Sequence, residues 1–347
     1  MTSQPPNTLG SSYGPLDPAN RPGTRRAEDS LSSCSSKRPR VSKTSLVALW
    51  CQPPHPLSVN GLLRKHCRNR LYVHPLQWTA QHLELLGYRF IRKSNSTLGG
   101  HSQHQHQHQH GHQYQNSLQL PSEATICATI NHLRRPSIRD FKTTIMSEFP
   151  TACNLTQVDT SHLPFDFKQQ TIATVPTSGI FLHRSTVPSL AYLDLECVGS
   201  ERDKSIGLSM SKKLNGPVWR IRQKQQRQLQ PSNEAEDPYI AAVLITLAQG
   251  LQYKHQKQSV NGLNADSVPT VLPQQTATNF EVRLVALARD ARSLYFYTAS
   301  IPSIALDTLN KPGYYYNINV ICIFYYMVQL KKSKKAIQKI KNIINNL

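Results

Sequence analysis

Apolar positions along the chain identify one helix more clearly than any other element. In DPYIAAVLITLAQG, residues 237–250, apolar side chains occupy nearly the whole helical circumference. Asp237 suits the N-cap, Pro238 the first helical position and Gly250 the left-handed end. A helix that is apolar on all sides belongs inside a core, so we predict a buried helix over this segment.

Shorter runs that are rich in β-branched and aromatic residues predict strands on both sides of this helix. Before it lie GIFLH (179–183), LAYLDLECV (190–198), SIGLSMS (205–211) and VWRIR (218–222), and after it lie FEVRLVALA (280–288) and SLYFYTASI (293–301). Further helices are predicted at 136–149 and from Pro302, each with proline at its start. This order of elements predicts an α/β or α+β fold with a mixed central sheet and packed helices.

The same patterning divides the chain into regions. Residues 1–43 contain few aliphatic side chains and are predicted to be disordered. Residues 45–97 indicate a small basic helical region, with short helices around 62–67 and 78–86 and Gly87 ending the second. Residues 98–118 form a low-complexity linker in which histidine alternates mainly with glutamine, at His101, His104, His106, His108, His110 and His112. Residues 119–312 form the predicted α/β module.

Residues 313–347 differ in composition from the rest of the chain. From Tyr314 onward they consist mainly of Tyr, Asn, Ile, Phe, Met and Lys, most of which have AT-rich codons. We interpret this tail as translated intron or downstream sequence, which leaves the α/β module truncated. The alternative is a membrane anchor at 314–330, an apolar and aromatic run that is short for a spanning helix and contains Asn317 and Asn319.

Positive charge is segregated from the predicted core. The formal net charge is +20, and the excess lies in 1–44, 45–100, 181–230 and 313–347, whereas 231–312 is nearly neutral. Such an excess favours polyanions such as nucleic acid through counterion release, without sequence specificity. Within 45–97, aromatic residues are interleaved with Arg64, Lys65, Arg68, Arg70, Arg89, Arg92 and Lys93. This pattern indicates either a nucleic-acid surface or a solvated basic face.

The segments VWRI, DPYIAAVLITLAQ and SLYFYTASIPSIALDTLNKP resemble a group of uncharacterised filamentous-fungal proteins. The resemblance covers roughly residues 180–312. Because no activity is attached to that group, the resemblance implies no mechanism, substrate or site residue.

One pair of carboxylates is spaced as a metal site requires. Asp194 and Glu196 are two residues apart on a predicted strand, so their side chains would lie on the same face. The order of elements is also compatible with a nuclease-like core. Such a core also needs a Glu-x-Lys pattern on the adjacent strand, which is missing, with Lys212 the nearest lysine. A kinase-like lobe is excluded as an active enzyme because the Gly-rich and His-Arg-Asp loops are missing. We favour structural carboxylates at the surface and predict no cofactor or resident metal, with a divergent metal-dependent nuclease as the alternative.

Two short motifs concern localisation and regulation. Arg25 and Arg26, a ten-residue spacer, and Lys37, Arg38 and Arg40 match a bipartite nuclear-import signal, which an import receptor reads through separate acidic pockets. Ser137 follows Arg134 and Arg135 at the spacing that basophilic kinases favour, and the alternative is an ordinary helix start.

Cysteine usage and the N-terminal sequence indicate the compartment. Seven cysteines without a C-x-x-C pair imply no disulfide framework, and the first residues lack the apolar region of a signal peptide. We therefore expect a non-enzymatic nuclear protein that binds nucleic acid or an acidic protein through its basic regions. A cytoplasmic location is the alternative to the nucleus.

The import signal predicts a specific change in localisation. Replacing Lys37, Arg38 and Arg40 with alanine should move the fluorescently tagged full-length chain from the nucleus to the cytosol, because the second basic cluster no longer fills its receptor pocket. Live-cell imaging measures the nuclear fraction. Arg21→Ala with Lys43→Ala removes charges outside the two clusters and should leave that fraction unchanged. Cytosolic fluorescence of the unaltered chain would contradict the signal.

Overall fold

The described part of this computed structural model comprises residues 55, 57–67, 71–94, 122–134, 142, 144–146, 148, 155–182, 187–208, 215–261, 278–315, 319–330 and 334–345. The two import clusters, the histidine-rich linker and Ser137 lie outside these residues.

Eight helices of the described residues, in chain order, are α1 (Val59–Lys65), α2 (Ala80–Leu86), α3 (Glu123–Leu133), α4 (Leu195–Ser205), α5 (Gly216–Leu229), α6 (Pro238–Asn261), α7 (Ser303–Asn310) and α8 (Lys334–Asn345). The strands are β1 (Tyr88–Arg92), β2 (Thr156–Gln157), β3 (His162–Phe167), β4 (Gln170–Pro176), β5 (Gly179–Leu182), β6 (Leu190–Asp194), β7 (Asn279–Leu287), β8 (Ser293–Pro302) and β9 (Ile321–Gln329). Short 3-10 helices lie at Pro75–Gln77 and Glu234–Glu236.

Seven strands form one mixed sheet in the order β1-β9-β8-β7-β6-β5-β2. β1 runs parallel to β9 and β6 runs parallel to β7, while the other neighbours in the sheet are antiparallel. β3 and β4 form a separate hairpin. The predicted class, a mixed sheet with packed helices, is confirmed.

The predicted core helix is α6. It begins at Pro238, and the Asp237 carboxylate accepts a hydrogen bond from the Tyr239 amide at 2.9 Å. All residues from Tyr239 to Gln249 are buried, as an apolar circumference requires. The predicted end at Gly250 is wrong, because the helix continues to Asn261. Leu, Gln and Lys after Gly250 are good helix formers, and a single interior glycine costs only about 1 kcal/mol.

The first half of α6, up to Gln249, is buried on all sides because it lies between the sheet and a second layer. One face of the sheet, through residues such as Leu284 and Tyr297, belongs to the same apolar cluster as α6, Trp78 and Phe165. Gln249 joins α6 to the hairpin: its side chain accepts from the Asp166 amide at 3.1 Å and donates to the Asp166 carbonyl at 2.8 Å. The hairpin and the α1–α2 region thus form the outer cover of the helix.

The opposite face of the sheet packs against α3 and α8. Alternate residues of β8 and β9, such as Phe296 and Val328, share a second apolar cluster with Ile126 of α3 and Ile340 of α8. The two helices are also linked by an ion pair between Lys341 and Glu123 at 3.7 Å. Strand alternation therefore places successive side chains in two separate cores.

Two predicted strands are helical instead. Residues 218–222 lie in α5, and residues 205–208 form the end of α4 and the turn that follows it. The strand predicted over 190–198 ends at Asp194, where α4 begins. In each case a five- to nine-residue alternating pattern was too short to separate strand from helix. The strands predicted at 179–183, 280–288 and 293–301 and the helix after Pro302 are present.

The sheet combines three of the regions that composition distinguishes. β1 comes from 45–97, and β9 and α8 come from 313–347. β9 lies between β8 and β1, with Ile321, Ile323 and Tyr325 facing α6. Most of the apolar run at 314–330 is thus a sheet strand in this structure.

A buried ion pair joins α4 to the start of α6. Both guanidinium nitrogens Nη1 and Nη2 of Arg202 donate to the Asp237 carboxylate, and Arg202 Nε donates to the Leu76 carbonyl at 2.8 Å. The two side chains are 3% and 2% exposed. Each of the three guanidinium nitrogens has an acceptor, and removing one partner leaves a buried charge without compensation.

Arg202→Met should therefore lower the free energy of unfolding by about 3–5 kcal/mol. Urea denaturation measures this change. The control Lys204→Met breaks the exposed pair with Glu201 on the same helix and should cost less than about 1 kcal/mol. Adding Asp237→Asn to Arg202→Met should recover part of the loss, because asparagine still caps the helix without a charge. Equal effects of the two single variants would contradict a structural role for the buried pair.

Candidate nucleic-acid interface

α5 is a helix that lies outside both cores. Asn215 caps it by accepting from the Val218 amide at 3.1 Å, and Pro217 lies in the first turn. The following Arg, Gln and Lys residues are good helix formers, which explains why the segment is helical. All fourteen residues of α5 are described, and none is buried.

Polar contacts hold α5 against α4. Arg222 donates to the Gly207 carbonyl at 2.6 Å, and the Gln226 amide donates to the Asp203 carboxylate at 2.8 Å. Gly207 has a left-handed backbone, with φ of 72°, at the turn that follows α4. A side chain at Gly207 would collide with the Arg222 guanidinium at 2.6 Å. The inner side of α5 is therefore fixed by directional hydrogen bonds.

The outer side of α5 carries a stripe of positive charge. Arg220, Lys224 and Arg227 are exposed and follow one another at spacings of four and three residues, which places them on one side of the helix. α5 contains no acidic residue, and no described carboxylate forms an ion pair with these three side chains. Like charges at such spacings destabilise a helix by a few tenths of a kcal/mol per pair. A bound polyanion would remove this repulsion.

Two apolar side chains lie beside the stripe. Trp219 is 38% exposed and Ile221 is 60% exposed. An exposed indole next to arginine and lysine provides a surface on which a base or sugar can pack. Isolated exposed apolar residues are common, so Trp219 and Ile221 alone would not indicate a binding site. They add to the evidence from the basic stripe.

An amide-rich groove runs along the other exposed side of α5. It has a volume of about 720 Å³, and it separates α5 from α2 and the end of α4. Its polar lining consists mainly of amide and hydroxyl groups, from Gln77, Thr79, Gln81, Ser205, Gln225 and Gln228. Glutamine offers both a donor and an acceptor, the combination that contacts base edges and sugar hydroxyls. The basic stripe and this groove together define the α5 surface.

The carboxylates Asp194 and Glu196 do not form the pair that the sequence predicts. Asp194 ends β6 and caps α4, accepting from the Glu196 amide at 2.9 Å. Glu196 lies in the first turn of α4, and its side chain contacts Lys142 at 3.3 Å. Because β6 ends at Asp194, the two residues lie on different elements and do not share a strand face. Asp194 is a helix cap and is buried, so the prediction of a surface carboxylate is wrong for this residue, whereas Glu196 is exposed.

Burial changes the titration of Asp194. Desolvation raises the pKa of its carboxyl group above the ordinary value, although the backbone hydrogen bond from Glu196 and the charge of Lys142 act in the opposite direction. Within the described ranges, no group of three or more His, Cys, Asp or Glu side chains is close enough to hold a metal ion. Asp194 is therefore a buried capping residue in this structure.

The basic residues of 45–97 occupy two different surfaces. Arg64 and Lys65 are exposed at the end of α1, whereas Arg89, Arg92 and Lys93 belong to β1 and the residue after it. Arg68 and Arg70 lie outside the described residues. The described basic residues that were predicted to form one surface therefore lie on two elements, the end of α1 and the β1 edge of the sheet.

The helices of this structure bear on the alternative of a membrane anchor. Over the residues that are described, no helix combines the length and the apolar character that crossing a bilayer requires.

Neither a protein-family model nor a curated protein matches this chain. The functional interpretation therefore depends on side-chain geometry.

The capping role of Asp194 predicts a pH dependence of stability. Asp194→Asn keeps the acceptor for the Glu196 amide but cannot ionise. Since burial raises the folded-state pKa, the stabilising contribution of the protonated carboxyl is present below pH 3.8 and is lost as the pH rises through the folded pKa. The variant should therefore gain stability relative to the wild type as the pH rises toward 7, measured by urea denaturation.

The control for this experiment is Glu196→Gln, which changes the neighbouring carboxylate, 61% exposed and paired with Lys142 at 3.3 Å, and should cost less than about 1 kcal/mol at neutral pH. Titration with Mg²⁺ tests the nuclease alternative in the same assay. Stabilisation of the wild type by Mg²⁺ that Asp194→Asn abolishes would contradict a purely structural role.

Proposed function

We propose that this protein binds nucleic acid in the nucleus, and that the α5 surface contacts the phosphate backbone. The observation that carries the proposal is the exposure of Arg220, Lys224 and Arg227 on a helix with no acidic residue and no buried side chain. Neither apolar cluster includes a side chain of α5, so packing does not account for the charges of this helix. Polyanion binding accounts for them, because it relieves the repulsion within the stripe.

The dimensions of the stripe suit a phosphate backbone. With a rise of about 1.5 Å per residue, Arg220 and Lys224 lie about 6 Å apart along the axis and Lys224 and Arg227 about 4.5 Å apart. Long flexible side chains from these positions reach successive phosphates of one strand. The amides of the neighbouring groove then lie beside the sugar and base edges, where donor and acceptor pairs are useful.

A membrane surface or an acidic protein would also attract positive charge. A membrane-bound helix needs a continuous apolar face, and α5 presents only Trp219 and Ile221 between charged and amide side chains. Acidic proteins provide carboxylates in irregular positions, whereas the regular spacing of the stripe matches a regular polyanion. We therefore favour nucleic acid over these two partners, and the nuclear location follows from the import signal as part of the same proposal.

Replacing Arg220, Lys224 and Arg227 with glutamine should weaken binding of the full-length chain to a labelled 20-base-pair duplex. We expect the dissociation constant to rise at least about tenfold at 0.1 M salt, and the slope of log K against log salt to fall by about 2 to 3, because up to three counterion-releasing contacts are lost. Glutamine preserves helix propensity, so circular dichroism should be unchanged. Fluorescence anisotropy at several salt concentrations measures both quantities.

The matched control removes the same charge from scattered exposed positions, Lys65, Lys257 and Lys311, on other elements. It should change the slope by less than half as much as the α5 variant. Equal effects of the two triple variants would show that only net charge matters and would contradict an interface at α5. Loss of binding to anionic vesicles without loss of duplex binding would overturn the proposal in favour of a membrane surface.

A further inference from the structure

Among the described residues, the face of the sheet opposite α6 is covered at one end only. α3 and α8 pack over its residues near Phe296 and Val328. Toward the other end of β8, the same face continues through Thr298 and Ser300, and Ser300 is exposed. There a trough of about 650 Å³ lies over β7, β8 and β9 among the described residues. The sheet therefore presents part of one face without a covering helix in the described part of the chain.

Two aromatic side chains belong to this face. Phe324 and Tyr326 are two residues apart on β9 and therefore project to the same side. Both are half-buried, and Phe324 lines the trough. Register pairs them with Thr298 and Phe296 of β8, at the boundary between the covered and the open part of the sheet. Neighbouring rings on an open sheet form a platform on which bases can stack.

Positive charges surround the platform. Lys93, just after β1, lies with its ammonium group 4.3 Å from the centre of the Phe324 ring and 5.9 Å from that of Tyr326. Arg89 pairs in register with Cys322 and is exposed, and Arg283 of β7 lies opposite Thr298. Glu281 is the one carboxylate among the described residues that line the trough. The local charge favours an anion near the rings.

We infer that this open sheet face, formed by Phe324, Tyr326, Lys93, Arg89 and Arg283, binds single-stranded nucleic acid through base stacking and phosphate contacts. The inference rests on the proposed nucleic-acid function and adds the class of ligand, because a duplex keeps its bases stacked on one another and cannot offer them to a protein ring. Single strands leave the flat faces of the bases free, and every base has such a face. The site is expected to tolerate any sequence.

The contact between Lys93 and Phe324 also has a simple structural explanation, as a cation resting on an aromatic ring. Such contacts are weak at exposed sites, and stacking of a base on the same ring is stronger. A base that stacks on Phe324 frees the ammonium group of Lys93 to contact the adjoining phosphate. Ligand binding would thus replace the contact between Lys93 and Phe324 with two new contacts, one between a base and the Phe324 ring and one between a phosphate and Lys93.

Phe324→Leu tests the stacking step in the full-length chain with a labelled 15-nucleotide oligothymidine. Leucine keeps an apolar side chain on the strand but has no aromatic face. The dissociation constant should rise roughly 5- to 150-fold, and Phe324→Trp should restore binding. The dissociation constant for a 15-base-pair duplex should change less than about twofold. Tyr253→Leu, which removes an aromatic side chain that is 69% exposed on α6, is the control and should leave both constants unchanged.

Tyr326→Trp provides a second readout that a change in folding would not imitate. Combined with Trp219→Phe, which removes the indole of the α5 surface, the variant should show tryptophan emission that is quenched when oligothymidine stacks on the ring and is unaffected by duplex. Unchanged affinity of Phe324→Leu for oligothymidine, or no quenching at saturation, would overturn the inference. The proposed function at α5 would survive that result if the α5 triple variant still weakened duplex binding, and it would fall separately if that variant bound duplex normally.

Discussion

The burial of α6 is the constraint on which the rest of this structure depends. A helix that is apolar around its whole circumference must be enclosed, and each fully buried aliphatic side chain contributes about 1.5–3 kcal/mol relative to exposure. One face of a sheet covers only part of such a helix. The hairpin β3–β4, α1 and α2 supply the remaining cover, so the fold has an extra layer on this side of the sheet.

Polar contacts at the start of α6 fix its position in that enclosure. Tyr297 donates to the Ala235 carbonyl, Tyr295 to Glu234 and Tyr325 to Glu236, each at 2.9–3.0 Å. These tyrosines come from β8 and β9, so the sheet holds the 3-10 segment that precedes the helix. Arg202 holds Asp237 from the other side. The tail segment thus contributes, through Tyr325, to the placement of the most apolar helix in the chain.

The buried helix, the β7–β8 pair and the class of fold could be predicted because their patterns are long and their caps are explicit. The hairpin β3–β4 could not, because Lys168 and Gln169 occupy its turn with positive φ, where Asn-Gly or a similar pair normally announces such a turn. The sequence predicts a strand in place of α5, because the alternating residues 218–222 resemble a strand when they are taken without the glutamine-rich residues that follow them. The Asn215-x-Pro217 start followed by Gln, Lys and Arg was the available signal for a helix.

The sequence could predict that positively charged surfaces exist, but it could not predict where on the fold they lie. Composition locates an excess of positive charge in 181–230 and in 45–100, but burial and register decide which side chains reach solvent together. Lys93 and Phe324 are separated by more than two hundred residues and meet because β1 is the parallel neighbour of β9. Long-range strand pairing leaves no local pattern in the sequence, so neither segment alone could predict that Lys93 and Phe324 are in contact.

The α5 surface and the open sheet face lie on opposite sides of the sheet. α5 packs against α4, which belongs through Leu195 and Val198 to the apolar cluster around α6, whereas the platform lies on the face that α3 and α8 share. A short oligonucleotide that stacks on Phe324 cannot contact Arg220 at the same time without passing around the sheet edge. The two surfaces therefore act on separate segments, and their contributions to the free energy of binding are expected to add. A long strand that engages both would gain from effective concentration, whereas a short one would not.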